Sequence, residues 1–150
     1  MKQARQTGFT LIELIVVIVL LGILAATALP KFVNVSSDAR TSVTKGIEGS
    51  MRAANALIYA KAASVAGAMG AGPTNVSING TNVSVHYGYA NNLAALILVM
   101  DINTGATGDF QVAGQQINSK NATTPANCGV TYGAATATVP PTYTTVTTGC

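Results

Sequence analysis

The chain has 150 residues, enough for one modest domain, with charged residues at 9% and aromatics at 5%. Gly, Ala, Thr, Val and Asn dominate, which reads as an exported sheet-and-loop domain and argues against a charged cytosolic enzyme. The formal charge of +3 falls to +1 when Lys2 and Arg5, which precede the first apolar run, are set aside, since six basic side chains then face five acidic ones; no basic patch for nucleic acid survives, and no nucleic-acid partner is expected.

The first element in chain order is that apolar run. Residues 14–29 carry no charge, and the stretch from Phe9 to Leu29 is long enough, at about 32 Å as a helix, to cross a bilayer. Lys2 and Arg5 ahead of it favour a cytoplasmic N-terminus by the positive-inside bias. Glu13 is the exception near its start, and an ionised acid in hydrocarbon is normally paired or functional. An ordinary signal peptide accounts for export, with Ala26-Thr27-Ala28 as an A-x-A cleavage site, and would release a soluble secreted binding protein. It leaves Glu13 without a purpose.

Past Pro30 the apolar residues continue at Phe32, Val35, Ala39, Val43, Ile47, Met51, Ala54, Ile58 and Val65, mostly three or four apart, which is one helical stripe. Lys45 and Arg52 flank Glu48 at helical spacing on the solvated face. The periodicity therefore predicts a single helix from Phe9 to about Val65, roughly 85 Å long and far longer than a domain of this size needs. Such a helix protrudes. Its design suits a subunit anchored by one half and packed by the other.

The stretch "GFTLIEL" at 8–14 resembles the processing site of type IV prepilins. The resemblance implies a basic leader ending in Gly8, cleavage before Phe9 by a prepilin peptidase that also N-methylates the new Phe9 amine, and a glutamate at the fifth mature position, here Glu13. It further implies an inner-membrane precursor, a membrane assembly platform with a cytoplasmic ATPase, and a helical homo-oligomeric filament outside the cell. Looser motifs, "DAR" at 38–40, "VHYGYA" at 85–90 and "CGVTYGAATATVPPTYTTVTTGC" at 128–150, resemble pilins of the mannose-sensitive haemagglutinin type. The division expected on this basis is a leader at 1–8, a membrane and filament-core helix at 9–30, an amphipathic helix at 31–66 and a β-rich head at 67–150.

Physical chemistry gives these residues their roles. Cleavage creates an α-amine with a reference pKa of ~7.7–8.0, mostly cationic at neutral pH, and methylation leaves it able to carry charge. In the family this amine meets the glutamate of a neighbouring subunit, so Phe9 and Glu13 would set axial register; the alternative is a partial contact within the same chain. Fourteen of residues 9–29 are Phe, Leu, Ile or Val. Moving them from lipid into a bundle gains little, so assembly needs an outside driver; returning them to water would cost ~1.5–3 kcal/mol each, so an assembled fibre persists. Gly22 and Pro30 weaken the helix, glycine by ~1 and proline by ~3 kcal/mol relative to alanine. The local reading is a kink; the family resemblance implies that residues 22–30 lose helix on assembly.

The head is read as α+β, a small antiparallel sheet laid on the long helix. "GAMGAGP" at 67–73 ends that helix and lacks the Gly-Lys-Ser/Thr of a phosphate loop. "VSINGTNVSV" alternates about Asn79-Gly80, a two-residue turn that pairs Ile78 with Thr81 and Val76 with Val83 and puts Val76, Ile78, Val83 and Val85 on one face. "NNLAALILVM" at 91–100 fits a short helix or a buried strand. Phe110 and Val112, Val130 and Tyr132, and the Thr/Val tail suggest further strands.

The remaining signals are weak. Cys128 and Cys150 are the sole cysteines, and an exported chain would join them in a loop of about 23 residues worth roughly 3 kcal/mol. Asp101, Asn103 and Asp109 lack the full acidic loop of a calcium site and suit an Asx turn better. His86 has no companion ligands, so neither metal nor acid–base chemistry is expected there. Asn75 and Asn121 open Asn-x-Ser/Thr triplets, which this composition also produces by chance. No convergent nucleophile, base and oxyanion donor is evident, so an enzyme, a cofactor and a metal are all unexpected. The function read from the sequence is a structural subunit of an adhesive type IV pilus, with a minor pilin or a type II secretion pseudopilin as the nearest alternative.

Overall fold

The structure is a computed structural model that describes residues 9–150, apart from the side chains of residues 32–34. The first helix, α1, runs Leu11–Ala62, with Pro30 inside it. The chain divides into two compact units, residues 1–36 and 37–150. In the first unit the described residues are helix almost throughout, and every large apolar side chain from Phe9 to Leu29 is exposed.

The second unit is α+β and is built around residues 37–62 of α1. There Ile47, Met51, Ala54, Ile58 and Ala62 are buried at spacings of three and four, as one face of a helix requires. They share one core with the strands described below. Val35, Ala39 and Val43 extend the predicted stripe but are exposed, and Phe32 lies outside the described side chains. The burial begins later than the apolar spacing does: among the described side chains of the helix the first buried one is Thr44, beside the disulfide, with Arg40 one turn earlier bonded to the Cys150 carbonyl.

The predicted end near Val65 also moves. The helix stops at Ala62, where the Ser64 hydroxyl donates to the Lys61 carbonyl at 2.7 Å and the Ser64 and Val65 amides turn back to Lys61 and Ala62. A serine that offers a last-turn carbonyl a local partner competes with helix continuation. Gly67, at φ 81, then takes the left-handed conformation that starts the glycine-rich connection.

Two antiparallel sheets replace the single sheet expected from the sequence. The first is ordered β1 (Thr74–Ile78), β2 (Thr81–His86) and β3 (Tyr89–Ala90). Its hairpin has the predicted register, Val76 opposite Val83 and Ile78 opposite Thr81, through a turn in which Asn79 and Gly80 both have positive φ. Two positive-φ residues make the turn whose twist matches the strands, and Val76, Ile78, Val83 and Val85 are all buried as a result. A short helix, α2 (Leu93–Ile97), resolves the ambiguous "NNLAALILVM": Asn92 caps it, its side chain accepting from the Ala95 amide at 2.8 Å.

The second sheet contains β4 (Phe110–Ala113), β5 (Gln116–Ser119), β6 (Gly129–Gly133) and β7 (Thr142–Val146), in that spatial order. Its meander register places Val130 opposite Thr145 and Tyr132 opposite Tyr143. A side chain at Gly129 would come within 2.4 Å of the Ile117 carbonyl, so glycine is what lets β6 close on β5. The core joins α1, both sheets and α2 through Ile117, Val130, Tyr132, Leu93 and Leu96.

Candidate functional site

Two groups of residues carry the chemistry: the start of α1, and the face of α1 that the head grips. At the start, Thr10, Leu11, Ile12 and Glu13 form a reciprocal cap. The Thr10 amide and hydroxyl each donate to Glu13 Oε2 at 2.8 Å, and the Glu13 amide donates to Thr10 Oγ1 at 3.4 Å. This is a capping box, in which a hydroxyl residue and the glutamate three positions on satisfy the otherwise unpaired amides of a first helical turn. The Thr-x-x-Glu spacing marks this cap in the sequence, although the apolar surroundings of Glu13 point instead to an amine, of a neighbour or of the same chain, as its partner.

Both bonds from Thr10 fall on one carboxylate oxygen. Glu13 Oε1 has no partner among the described residues, so the acid retains an oxygen for a second donor. Phe9 beside it is 95% exposed, and Gly8 lies outside the described residues. Downstream, all fourteen large apolar side chains of residues 9–29 are exposed, the least of them Ile15 at 43%. The stretch is apolar enough to cross a membrane. Its one hydroxyl past the cap, Thr27, is satisfied locally by the carbonyls of Leu24 at 3.0 Å and Ile23 at 3.3 Å, which leaves the surface of the segment apolar.

Gly22 and Pro30 sit within the unbroken helix, so no interruption is present in the single chain. A side chain at Gly22 would meet nothing within 4 Å. Among the described residues nothing therefore requires glycine there, and its effect is to weaken the helix.

The second group docks the head. Cys128 and Cys150 are joined as a disulfide, and among the described residues no cysteine is free. The bridge is seated on α1: Thr44 Oγ1 lies 3.6 Å from Cys128 Sγ and 3.7 Å from Cys150 Sγ, and Arg40 Nε donates to the Cys150 carbonyl at 2.5 Å. One turn on, Glu48 accepts from Arg52 at 2.7 and 2.9 Å and from the Thr145 hydroxyl of β7 at 2.6 Å. The Thr145 hydroxyl and the Arg52 guanidinium hold its carboxyl below the usual carboxylate range. Arg52 also lies 4.5 Å from the centre of the Tyr143 ring.

Asn55 joins the helix to both sheets. Its Nδ2 donates to the hydroxyls of Tyr143 at 2.7 Å and Tyr132 at 3.2 Å, while its Oδ1 accepts from the Ala90 amide at 3.0 Å. Tyr132 in turn donates to the Ala90 carbonyl at 2.6 Å. Burial pushes the Tyr132 phenol up to about 12 and raises that of Tyr143 as well. The sequence marks Tyr132 only as a strand residue and gives no sign of the network with Asn55 and Tyr143.

Of the other candidate ligands, Asn103 and His86 have structural partners. Asn103 Oδ1 accepts from the Gly105 amide at 3.0 Å, an Asx turn, and Lys120 Nζ donates to the Gly105 and Ala106 carbonyls at 2.5 and 3.2 Å, so an ammonium serves the oxygens of this loop. A ring nitrogen of His86 bonds the Ala71 carbonyl. Among the described residues no group of three His, Cys, Asp or Glu side chains is placed to hold a metal ion.

Comparison with known proteins bears on the first group. Residues 3–29 match the prokaryotic N-terminal methylation motif. The chain is similar to the type II secretion system core protein G of Pseudomonas aeruginosa, 48% identical over 46 residues that cover 31% of this chain and 32% of that protein. It is also similar to the type IV narrow pilus major component PilA5 of Thermus thermophilus, 41% identical over 58 residues covering 39% of this chain and 50% of the relative, and to the type IV major fimbrial protein FimA of Dichelobacter nodosus, 45% identical over 52 residues covering 35% and 33%. The match thus spans a third to a half of the length of these relatives. No solved structure matches the chain.

Proposed function

We propose that this chain is a pilin, a structural subunit without enzymatic activity that polymerises into an extracellular type IV pilus for surface attachment. A leader at 1–8 is removed after Gly8, the exposed Phe9 amine is methylated, residues 9–30 hold the precursor in the inner membrane and later form the filament core, and residues 31–66 with the head at 67–150 form the outer part. The prepilin peptidase, the assembly platform and its ATPase are the partners this route requires. Within pilins, the head motifs quoted above favour the haemagglutinin type.

The observation that carries this reading is that fourteen large apolar side chains stand exposed within a segment matching the methylation motif. A soluble protein does not keep such a surface in water, since each side chain costs ~1.5–3 kcal/mol there. In a filament these side chains are covered by other copies. The free oxygen of Glu13 then accepts from the methylated Phe9 amine of a neighbour, and charge attraction in an apolar bundle favours the one axial register that pairs them. Residues 22–30 lose helix as the fibre forms, lengthening the subunit; persistent helical amide signals there in assembled fibres would exclude this.

Intact mass decides between pilin and secreted soluble protein. A chain beginning at a methylated Phe9 supports the proposal, and one beginning at Leu29 rejects it. The similarity to a secretion-system core protein favours a second reading, a pseudopilin of a secretion apparatus. Abundance in fibres sheared from cells points to the major pilin; its absence there, with the same processed terminus, points to the pseudopilin.

A further inference from the structure

The described asparagines fall into two sets. Asn55, Asn91, Asn92 and Asn103 spend their side chains on internal hydrogen bonds, and Asn118 is buried. Five open Asn-x-Ser/Thr triplets: Asn34 lies within α1 and its side chain is outside the described ones, while Asn75, Asn79, Asn82 and Asn121 are all exposed and make no side-chain hydrogen bond among the described residues, a condition that Asn127 shares outside a triplet. The triplets divide again by backbone. Asn75 and Asn82 lie in β1 and β2, where Asn75 is paired with Ser84 and Ser77 with Asn82, and Ser84 is engaged by Asn91 at 2.9 Å. Asn79-Gly80-Thr81 begins at the tip of the hairpin and ends on the first residue of β2, Thr81, opposite Ile78, and Asn121-Ala122-Thr123 lies in the turn after β5; in both the asparagine is in a turn and the threonine is exposed.

From this division we infer that Asn79 and Asn121 are acceptors for N-linked glycan, a modification that belongs to surface loops of exported chains. A transferase must turn the acceptor carboxamide and the hydroxyl two residues on toward its own groups; a turn allows this with at most the terminal pair of a ladder opened, whereas the interior of a paired strand does not. The donor is a polyprenyl diphosphate-linked oligosaccharide. The Asn carboxamide nitrogen bonds to the anomeric carbon, the carbon–oxygen bond to the diphosphate breaks, one amide proton passes to the transferase, and polyprenyl diphosphate leaves with no change of oxidation state. A glycan at either position projects into open solvent and adds a hydrophilic cover to a head that carries few charges.

The inference rests on export of the head, and its test separates the two. Protein is collected from the outside of its own cells and weighed intact, then as peptides. Two glycan increments are expected, one lost in Asn79→Gln, one lost in Asn121→Gln, and neither lost in Asn75→Gln; Thr81→Ala removes the Asn79 increment while keeping the asparagine. A protein outside the cell with the mass of its bare polypeptide overturns the inference alone. Increments that survive the Asn79→Gln, Asn121→Gln double variant overturn it too, and a chain that never leaves the cell overturns both readings.

Discussion

Residues 11–29 and 37–62 belong to one helix and are both rich in apolar side chains, yet they have opposite fates. In the second stretch Ile47, Met51, Ala54, Ile58 and Ala62 meet two sheets of the same chain and disappear from solvent. In the first, Leu14, Ile18, Leu21 and their neighbours stand exposed. The two stretches differ in patterning. The buried one restricts its apolar residues to one face and places Arg40, Thr44, Glu48, Arg52 and Asn55 where the head supplies partners, whereas the exposed one is apolar all round, as a helix is when lipid or other helices surround it. Polar residues thus mark where the helix has an internal partner. On the proposed function, the stretch that lacks them is covered by other copies.

The largest effects should separate the two stretches. Ile58→Ala is expected to lower the unfolding free energy of the head by about 2–5 kcal/mol, as core truncations do, while Ile18→Ala should change it by less than about 0.5 kcal/mol; urea unfolding of the detergent-solubilised single chain measures both. Equal losses would break the comparison.

Next in size is the disulfide. Cys128→Ser should cost about 2–4 kcal/mol by releasing the closed loop in the unfolded chain, with the effect read in the head's melting and not in the helicity of residues 11–29. Asn55→Ala follows, at about 1–3 kcal/mol, because it leaves the Ala90 amide without its acceptor and the two phenols without their donor. Nuclear magnetic resonance shifts should then change in β3, β6 and β7 together. A change confined to one sheet would refute the joining role.

The smallest effect is a pH dependence. Burial raises the Tyr132 phenol from 10.0 to about 12, so the native head holds that proton more tightly than the unfolded chain does. The associated stability is complete below pH 10 and declines as pH rises toward 12. Alkaline unfolding should therefore steepen in that window, and Tyr132→Phe should flatten it. Glu48 works in the opposite sense: its lowered carboxyl contributes above the ordinary carboxylate range and is lost as the solution becomes acidic.

What the sequence discloses follows the range of the interactions. The hairpin register is legible because Asn79-Gly80 fixes it over a few residues, and the disulfide because two cysteines leave one pairing. The partition into two sheets is not, since it depends on where α2 and the loop after it interrupt the chain, and β5 reads Gln-Ile-Asn-Ser with little strand pattern. Asn55 was hidden for the same reason, because its partners lie 35, 77 and 88 positions away. At the candidate site the apolar run was legible from local pattern, while Phe9 and the role given to Glu13 came from the resemblance of residues 8–14. The cap from Thr10 is also local, written in the Thr-x-x-Glu spacing at 10–13.

A reconstruction of the assembled fibre with Phe9 resolved tests the external partner most directly. The account predicts residues 11–29 buried among other copies, with the Phe9 amine of one within hydrogen-bond distance of the Glu13 carboxylate of another. A fibre in which Glu13 bonds only its own Thr10 and those side chains remain uncovered would contradict it.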